Sequence, residues 1–241
     1  MEFNVIYNVD CLVGLKQLPD KCIDFVITSP PYNKGESKNS GQLVKSIEYL
    51  DYKDDIDEPQ YQLNQIQVLN EIFRVLKDDG HLFYNHKNRY INGVQVSPLE
   101  WLNKTNFIIR QEIIWDRHLT GNLRGWRFWQ VDERIYWLQK PNARRKEIPM
   151  QIASLSNIWR ITPSSKKDTQ HPCAYPIQLV ERCLMIEENL NDKIVLDPYM
   201  GSGTTAVAAI KHKCKYIGFE LSNEYIEIAK NRIKNIHPTL F

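Results

Sequence analysis

The chain has 241 residues, of which 42% are hydrophobic and 25% charged, and its formal net charge is +2. This length allows one large domain or two small ones, and the composition is typical of soluble globular proteins. No apolar run reaches membrane-spanning length, and Met1–Tyr7 lacks the basic and long apolar segments of a signal peptide. Five cysteines without a Cys-x-x-Cys pair predict reduced thiols, so we expect a cytoplasmic protein.

The start of the chain predicts a strand, a short helix and a second strand. Phe3–Tyr7 favours a strand with alternating faces, and Asp10 can cap a helix that begins near Cys11. Cys22–Ile27 is a short apolar run, a pattern typical of a buried strand. Open α/β sheets bind ligands in the crevice at the carboxyl ends of their strands, and the next stretch, Thr28–Asn33, begins at such an end.

Thr28–Asn33 has the sequence Thr-Ser-Pro-Pro-Tyr-Asn and is the first stretch that predicts chemistry. Its two prolines fix φ and remove two N–H donors, so the backbone is rigid there and its carbonyls are available as acceptors. Ser29 places a small hydroxyl before the prolines, and Tyr32 places an aromatic ring after them. We expect acceptors beside a stacking surface, which suits a flat ring with an exocyclic amino group. A proline-rich turn without a function is the alternative.

The middle of the chain predicts a loop, a helix and three strands. Lys34–Pro59 has few strong apolar positions and an acidic cluster, so we expect a long loop near the predicted ligand site. Tyr61–Leu76 has apolar residues at three- and four-residue steps, which predicts an amphipathic helix, and His81–Asn85 is the next strand. Phe107–Trp115 and Asp132–Leu138 are expected to form an antiparallel pair.

A basic stretch covers Lys140–Lys167, where Glu147 is the single acid. Trp159 lies within it, and Trp126 and Trp129 lie just upstream. Basic residues interleaved with aromatic rings suit phosphate contacts and base stacking, although a charge run can also be a solvated surface loop. The residues expected to contact nucleic-acid phosphates are Arg124, Arg127, Arg144, Arg145, Lys146, Lys166 and Lys167.

The last part of the chain alternates helices and strands. Pro176–Ile186 predicts a helix that precedes the strand Ile194–Leu196. Ala206–Lys211 predicts another helix, before the strand Tyr216–Glu220. Ser222 is expected to cap a final helix. This alternation predicts an α/β protein with a mainly parallel sheet.

A glycine-rich turn follows the Ile194–Leu196 strand. Gly201-x-Gly203-x-x-Ala206, with Glu220 at the end of the next strand, satisfies the loose dinucleotide fingerprint. The glycines allow a ligand close to the backbone, and Glu220 can accept both hydroxyls of a ribose. Asp197–Met200 makes the loop wider than a tight phosphate turn, which disfavours a nicotinamide cofactor and suits S-adenosylmethionine. A glycine-rich turn without a ligand is the alternative.

The two stretches together resemble the amino-group DNA methyltransferases of bacterial restriction–modification systems. Thr-Ser-Pro-Pro-Tyr at 28–32 is similar to their catalytic motif, and Asp-Pro-Tyr-Met-Gly-Ser-Gly-Thr-Thr at 197–205 is similar to their cofactor loop. With the catalytic motif first, the order resembles their circularly permuted beta group. The resemblance implies a Rossmann-like methyltransferase fold, with a mostly parallel seven-stranded sheet that contains one antiparallel strand.

The resemblance also implies S-adenosylmethionine as the cofactor, double-stranded DNA as the partner, and roles for individual residues. The implied catalytic residues are Ser29, Pro30, Pro31 and Tyr32. The implied cofactor-binding residues are Asp10, Cys11, His171, Pro172, Asp197, Gly201, Gly203, Thr204 and Glu220. One domain then consists of a catalytic half (1–139), a target-recognition segment (140–170) and a cofactor-binding half (171–241). Because this segment is short, Lys34–Pro59 or Gly121–Trp129 is expected to share the DNA contacts; a homodimer and a cognate restriction endonuclease stay open.

Ser29 bears on the target base. Family members that modify cytosine N4 usually carry Ser before Pro-Pro, whereas those acting on adenine N6 usually carry Asp or Asn, so Ser29 predicts cytosine and leaves adenine as the alternative. We expect the flipped base to stack on Tyr32 while its amino group donates to Ser29 Oγ and the Pro30 carbonyl. The methyl group would then transfer directly, without a covalent enzyme intermediate.

Two further alternatives remain from the sequence. An RNA or protein amide methyltransferase shares Pro-Pro-Tyr, but the permuted order weighs against it. A DNA-binding partner subunit that has lost catalysis is disfavoured by its intact motifs. We find no catalytic Pro-Cys motif of carbon-5 cytosine methylation, since the Cys of His171-Pro172-Cys173 lies elsewhere, and no metal-ligand cluster. His81, His86 and His118 are expected to be structural or surface residues.

Overall fold

The computed structural model describes residues 1–33, 54–118, 126–144, 147–164 and 174–236. Within these ranges the strands are β1 (Val5–Asn8), β2 (Ile23–Thr28), β3 (Leu76–His86), β4 (Arg89–Ile91), β5 (Val94–Val96), β6 (Ile108–Asp116), β7 (Asp132–Gln139), β8 (Ile158–Arg160), β9 (Ile194–Asp197) and β10 (Lys215–Glu220). The helices there are α1 (Cys11–Lys16), α2 (Glu58–Val75), α3 (Leu99–Leu102), α4 (Met150–Ala153), α5 (Ile177–Leu184), α6 (Thr204–Lys211) and α7 (Asn223–Lys234). None of these described helices has the length and apolar character needed to cross a bilayer.

Eight strands form one sheet in the order β1-β10-β9-β2-β3-β7-β6-β8, and β4 pairs with β5 in a separate hairpin. β7 runs antiparallel to both neighbours, and the other pairs in the large sheet are parallel. The predicted α/β class, with a mostly parallel sheet and one antiparallel strand, is confirmed. The described sheet has eight strands where seven were predicted, because Ile158–Arg160 adds to the edge beside β6.

Helices cover both faces of this sheet. Along β2, Phe25 and Ile27 face one core while Val26 faces the other, because successive side chains in a strand point to opposite faces. Ile23 also belongs to the second core, and the register of the strand shifts between Ile23 and Phe25. The first core also contains residues of α5 and α6, and the second contains residues of α1 and α2. Each large apolar side chain buried in this way stabilises the fold by roughly 1.5–3 kcal/mol relative to leaving it exposed.

The chain leaves the centre of the sheet in opposite directions. From β2 it passes through α2 to β3 on one side, and from β9 it passes through α6 to β10 on the other. β2 and β9 are direct neighbours, with Val26 paired to Leu196. In open α/β sheets the ligand crevice lies outside the carboxyl ends of the strands at such a reversal. The crevice therefore lies beside Ser29, which follows β2, and Asp197, which ends β9.

The start of α2 shortens the predicted loop. The helix begins at Glu58, with Pro59 in its first turn, where a missing N–H costs nothing and the fixed φ suits a helix. The predicted loop Lys34–Pro59 therefore ends at Asp57, and residues 34–53 of it lie outside the described residues.

β3 begins earlier than the predicted His81. Ile23 of β2 pairs with Leu76, and Phe25 pairs with His81, so the residues between Leu76 and His81 form an irregular bulge within the strand. Gly80 belongs to this bulge, and a Cβ there would lie 2.8 Å from the Leu76 side chain and 3.0 Å from the Asp24 carbonyl. Asp-Asp-Gly, which resembles a helix stop followed by a turn, is thus the bulge of a longer strand.

The described part of the basic stretch includes regular secondary structure, unlike the surface loop that charge patterning suggests. It contains α4 and β8, and β8 places Trp159 in the core, with 8% of its surface exposed. Lys140 is also buried, with its ammonium 4.9 Å from the Phe73 ring centroid. Trp159 therefore packs inside the protein and is not available to stack on a base, which corrects that part of the interpretation.

Candidate active site

The predicted catalytic and cofactor motifs lie at one edge of the sheet, which we call the active edge. It is formed by the carboxyl ends of the parallel strands β1, β10, β9, β2 and β3, and by the amino end of the antiparallel β7. The strand register places Asn8 opposite Glu220, and Gly218 opposite Asp197. Residues from both ends of the sequence therefore meet here, as expected for a parallel sheet.

A buried hydrogen bond joins the two motifs. Thr28 Oγ1, next to Ser29, donates to Asp197 Oδ1 at 2.7 Å, and Asp197 has no exposed surface. The hydroxyls of Tyr175 and Thr205 each donate to Asp197 Oδ2 at 2.7 Å. Burial raises the pKa of the Asp197 carboxyl, and these donors oppose the increase. Asp197 thus holds the cofactor loop against the catalytic strand, and any effect on a ligand acts through that loop.

The glycines of the cofactor loop adopt conformations that other residues avoid. Gly201 has φ +51° and Gly203 has φ +80°. Gly203 precedes α6, and a Cβ there would lie only 2.7 Å from the Ala229 Cβ of α7. Glycine is therefore required at Gly203 both for its φ and for the close approach of a helix.

Glu220 is tied to this loop by the backbone. Its Oε2 accepts from the Gly201 N–H at 2.8 Å, and its Oε1 accepts from the Ser222 N–H at 3.0 Å. Burial raises the pKa of the Glu220 carboxyl, although the backbone donors act in the opposite direction. A carboxylate oxygen can accept more than one hydrogen bond, so both oxygens retain capacity for a ligand hydroxyl. Ser222 caps α7 by position, as predicted, but its Oγ has no hydrogen-bond partner among the described residues.

The remaining predicted cofactor residues differ in their surroundings. Asp10 caps α1 as predicted, accepting from the N–H groups of Leu12 and Val13. Burial raises the pKa of the neighbouring Cys11 thiol to about 12, so the thiol stays neutral. The Thr204 hydroxyl accepts from Arg232, a residue of α7 that the sequence did not suggest. His171 and Pro172 lie outside the described residues.

The catalytic motif joins a cluster of polar side chains that we call the hydroxyl cluster: Ser29, Tyr32, Asn85 and Glu133. The Ser29 Oγ and Tyr32 oxygens lie 2.7 Å apart, and the Tyr32 hydroxyl donates to Glu133 Oε2 at 2.8 Å. Asn85 Nδ2 lies 2.9 Å from the same Glu133 oxygen and 2.8 Å from the Tyr32 oxygen. Arg117 Nη1 donates to Glu133 Oε1 at 3.1 Å. Sequence reasoning missed Asn85 and Glu133, although Asn85 ends a predicted strand.

The surroundings of the prolines limit which groups can receive a substrate. The Pro31 carbonyl accepts from the Tyr61 hydroxyl at 2.7 Å, so it is already engaged, contrary to the expectation that both carbonyls are available. Ser29 is half-buried, whereas Tyr32 is only 6% exposed and its ring lies 4.5 Å from the buried His86 ring. Stacking of a base on Tyr32 therefore stays a prediction.

Exposed aromatic side chains also reach the active edge. In the segment Trp126–Trp129, just before β7, the exposed fractions are 55% for Trp126, 98% for Phe128 and 53% for Trp129. The Arg127 guanidinium lies 4.2 Å from the Tyr90 ring centroid and 5.6 Å from that of Trp126. This aromatic segment lies next to the hydroxyl cluster along the chain, because Glu133 follows it in β7.

Arg144 lies at the opposite edge of the sheet. β7 runs antiparallel, so the chain after Gln139 emerges near the start of β3, where the Arg144 N–H donates to Asp79 Oδ1 at 3.0 Å. A strand rises about 3.3 Å per residue, which puts this end of β3 about 20 Å from its His86 end. The position gives no support to a DNA contact by Arg144 beside Ser29. Arg124, Arg145, Lys146, Lys166 and Lys167 lie outside the described residues.

Comparisons with known proteins define the class. A family model described as DNA methylase matches residues 23–231, and the chain belongs to this family. Type II methyltransferase M.BglII of Bacillus subtilis is 28% identical over 261 residues, covering 94% of this chain and 68% of the relative. Type II methyltransferase M2.MboI of Moraxella bovis is 27% identical over 253 residues, covering 98% of this chain and 89% of the relative.

Solved structures share the fold. The PvuII DNA methyltransferase, described as cytosine-N4-specific, superposes with a TM-score of 0.77 at 20% identity, covering 99% of this chain and 89% of that chain. M1.HpyAVI, solved as a complex with SAM, superposes with a TM-score of 0.66 at 24% identity, covering 96% of this chain and 98% of that chain. The family match and these structures confirm the resemblance to amino-group DNA methyltransferases and the Rossmann-like fold.

Proposed function

We propose that this protein transfers a methyl group from S-adenosylmethionine to the exocyclic amino group of a base in double-stranded DNA, and that the base is cytosine. The observation that carries the proposal is the hydrogen bond between Thr28 and Asp197, which fixes the Ser29 motif beside the cofactor loop. Family membership supports the reaction class. Adenine N6 is the second candidate, since the family model covers both kinds of amino-group enzyme by name.

The cofactor side fits an adenosine with no phosphate. Glu220 offers two carboxylate oxygens, each already fixed by a backbone N–H, as acceptors for the ribose hydroxyls. Gly201 and Gly203 bring the backbone close, and Asp10 caps α1 just after β1, the strand that pairs with β10. S-adenosylmethionine supplies an electrophilic methyl group. The SAM complex of the similar M1.HpyAVI supports this choice of cofactor.

The base side would act by orientation. The Ser29 hydroxyl and the Pro30 carbonyl accept hydrogens from the amino group, which draws the nitrogen lone pair out of conjugation with the ring. That lone pair can then attack the methyl carbon directly, and positioning together with fixed dipoles supplies much of the rate. A base inside a duplex cannot reach Ser29, so the target base has to flip out of the stack.

The choice of cytosine depends on Ser29. Its hydroxyl serves the amino group without placing a full negative charge beside the base. On the family pattern, Ser before Pro-Pro goes with cytosine N4. The structurally similar PvuII enzyme is described as cytosine-N4-specific, which supports the same choice here.

DNA would approach the active edge over the aromatic segment Trp126–Trp129. Arg127 suits a phosphate contact, and the exposed rings suit contact with bases or with the gap that a flipped base leaves. This segment belongs to Gly121–Trp129, which was expected to share the DNA contacts. The relatives are named Type II methyltransferases, so a restriction endonuclease that reads the same site belongs to the proposal.

Nucleoside mass spectrometry tests the function. Unmethylated DNA is incubated with the protein and isotopically methyl-labelled S-adenosylmethionine, digested to nucleosides and analysed. We expect labelled N4-methylcytosine. Labelled N6-methyladenine in its place would overturn the cytosine assignment and keep the reaction class. Labelled 5-methylcytosine, or no labelled nucleoside, would overturn the proposed reaction.

A further inference from the structure

The hydroxyl cluster contains a buried acid for which the proposed function has no role. Glu133 is 7% exposed and lies at the amino end of β7. It contacts Tyr32 directly, and Tyr32 in turn contacts Ser29. Burying a carboxylate costs free energy unless other groups compensate it, and Arg117 is the cation beside it. A buried charge next to the catalytic motif therefore calls for an explanation.

The carboxylate determines the direction of the hydrogens in the cluster. A carboxylate only accepts hydrogen bonds, so the single hydroxyl hydrogen of Tyr32 points to Glu133 Oε2. The 2.7 Å contact between Ser29 and Tyr32 then needs the Ser29 hydrogen, because Tyr32 has no second one to give. The Ser29 hydrogen therefore points into the cluster, which leaves a lone pair of Oγ to accept from a substrate.

Asn85 supports the same arrangement. Its amide nitrogen faces Glu133 Oε2 at 2.9 Å, and the reverse orientation would place two acceptors against each other. Asn85 Nδ2 also donates to the Tyr32 oxygen and, more weakly, to Ser29 Oγ at 3.3 Å. Asn85 is 3% exposed, and its Oδ1 is buried with no hydrogen-bond partner among the described residues. Such orphan acceptors are rare in folded proteins, and a ligand entering beside Ser29 would supply a partner.

We propose that Glu133 orients the Ser29 hydroxyl through Tyr32 and receives, along these two hydroxyls, the proton that the target amino group loses when it is methylated. The inference rests on the proposed function, and assigns Glu133 and Tyr32 as positioning residues for the catalytic Ser29. It gives the Tyr32 hydroxyl a function that is separate from stacking of its ring.

The proton transfers along Ser29, Tyr32 and Glu133 balance. Methylation forms the bond between the amino nitrogen and the methyl carbon and breaks the bond between that carbon and the sulfonium sulfur of S-adenosylmethionine, whose electron pair stays on the sulfur as a neutral thioether. The amino group then carries the positive charge and still holds both hydrogens. One of these hydrogens moves to Ser29 Oγ, the Ser29 hydrogen moves to the Tyr32 oxygen, and the Tyr32 hydrogen moves to Glu133. The product amino group and both hydroxyls end neutral, and the carboxylic acid returns its proton to solvent before the next turnover.

Three variants and a control test this proton path. Glu133→Gln keeps an oxygen that can accept from Tyr32 but cannot take up a proton at neutral pH, whereas Tyr32→Phe keeps the ring and removes the hydroxyl. The double variant Tyr32→Phe/Glu133→Gln completes the cycle. Glu112→Gln is the matched control, because Glu112 pairs with Arg134 on the exposed side of β6. For each protein we would measure thermal unfolding, the Kd for S-adenosylmethionine and for DNA, and the single-turnover rate of methyl transfer.

We expect each single variant to lower the single-turnover rate by about 10²-fold, as for the loss of a proton acceptor. The Kd for S-adenosylmethionine and the Kd for DNA should stay unchanged. The rate of the double variant should lie within about twofold of the rate of the slower single variant, because both changes interrupt the same proton path. Wild-type rates in both single variants would overturn this inference and leave the proposed function intact. A rate loss in the double variant equal to the product of the two single losses would do the same. If Glu133→Gln does not fold, Tyr32→Phe decides by the same rate and binding criteria. A wild-type protein that methylates no DNA would overturn the proposed function as well.

Discussion

The cofactor side and the base side of the active edge are built differently. On the cofactor side, backbone N–H groups hold Glu220, and the glycines Gly201 and Gly203 set the course of the loop. On the base side, Ser29 is positioned through side chains that come from separate strands, including Glu133. The first arrangement depends on the conformation of the chain, and the second on single side-chain atoms. Substitutions should therefore separate folding and cofactor binding from turnover.

The strongest test of the cofactor side is Gly203→Ala. We expect the free energy of unfolding to fall by about 2–5 kcal/mol, because the new Cβ is strained at φ +80° and meets Ala229. Gly93→Ala is the matched control: Gly93 has φ +81°, but no atom lies within 4 Å of its added Cβ. That variant should lose only about 1–2 kcal/mol. Urea unfolding measures both, and equal losses would contradict the role of the helix contact.

On the base side, Ser29→Ala should separate the two functions. We expect turnover to fall by about 10²–10³-fold, as for the loss of one fixed hydrogen-bonding group at the reacting centre, with cofactor binding retained. Calorimetry gives the Kd for S-adenosylmethionine, and labelled methyl transfer gives the rate. Ser154→Ala, at the exposed end of α4, should keep both values. If Ser29→Ala loses cofactor binding as well, the two sides are not independent.

Glu220→Gln should affect the cofactor side through one atom. We expect binding of S-adenosylmethionine to weaken by about 1–3 kcal/mol, because a charged acceptor is replaced by a neutral one. Glu224→Gln, an exposed residue in the first turn of α7, should leave the Kd unchanged.

The Glu220→Gln variant also tests how the stability of the fold depends on pH. Burial raises the pKa of Glu220, so the folded protein holds this proton more tightly than the unfolded chain does. The resulting stability is present below the ordinary glutamate pKa and is lost as pH rises through the folded pKa. The stability advantage of wild type over Glu220→Gln should therefore shrink with rising pH in urea unfolding. If the difference in unfolding free energy stays constant with pH, folding does not shift the pKa of the Glu220 carboxyl.

The smallest expected effect concerns the surface. Arg127→Ala should weaken binding to all DNA sequences and lower the salt dependence of log Kd by about one unit of slope, as expected for one lost phosphate contact. Arg144→Ala is the control, because Arg144 lies at the opposite edge of the sheet. Fluorescence anisotropy over a range of salt concentrations measures both slopes. A larger change for Arg144→Ala would show that DNA binds elsewhere.

The sequence predicted the turn, the helix and the strand of the proposed cofactor side because these parts are local. The glycines, the helix after them and the acid that ends the next strand follow one another along the chain, so spacing alone relates them. The fold class followed from the alternation of strands and helices in the same way. The roles assigned to the individual site residues stay predictions.

The base side was predicted only in part, because half of it is not local. Ser29 and Tyr32 belong to one motif, but Glu133 reaches them from the start of an antiparallel strand. No periodicity shows which edge such a strand starts from. The same reversal explains Arg144, which was grouped by charge with Arg127 although Arg127 precedes β7 and Arg144 follows it, at the other edge of the sheet. Trp159 was misassigned because a three-residue strand is too short to show an alternating pattern.

A backbone hydrogen bond, 3.0 Å long, runs from the Arg117 N–H to the Val131 carbonyl. It joins the two ends of the loop between β6 and β7. The two ends of this loop are therefore joined regardless of what lies between them. The entropy of closing a loop grows slowly, by about 0.6 kcal/mol for each doubling of its length. Insertions between these ends would therefore cost the fold little. On the proposed approach of DNA over Trp126–Trp129, such insertions would change the surface offered to DNA and leave the hydroxyl cluster in place.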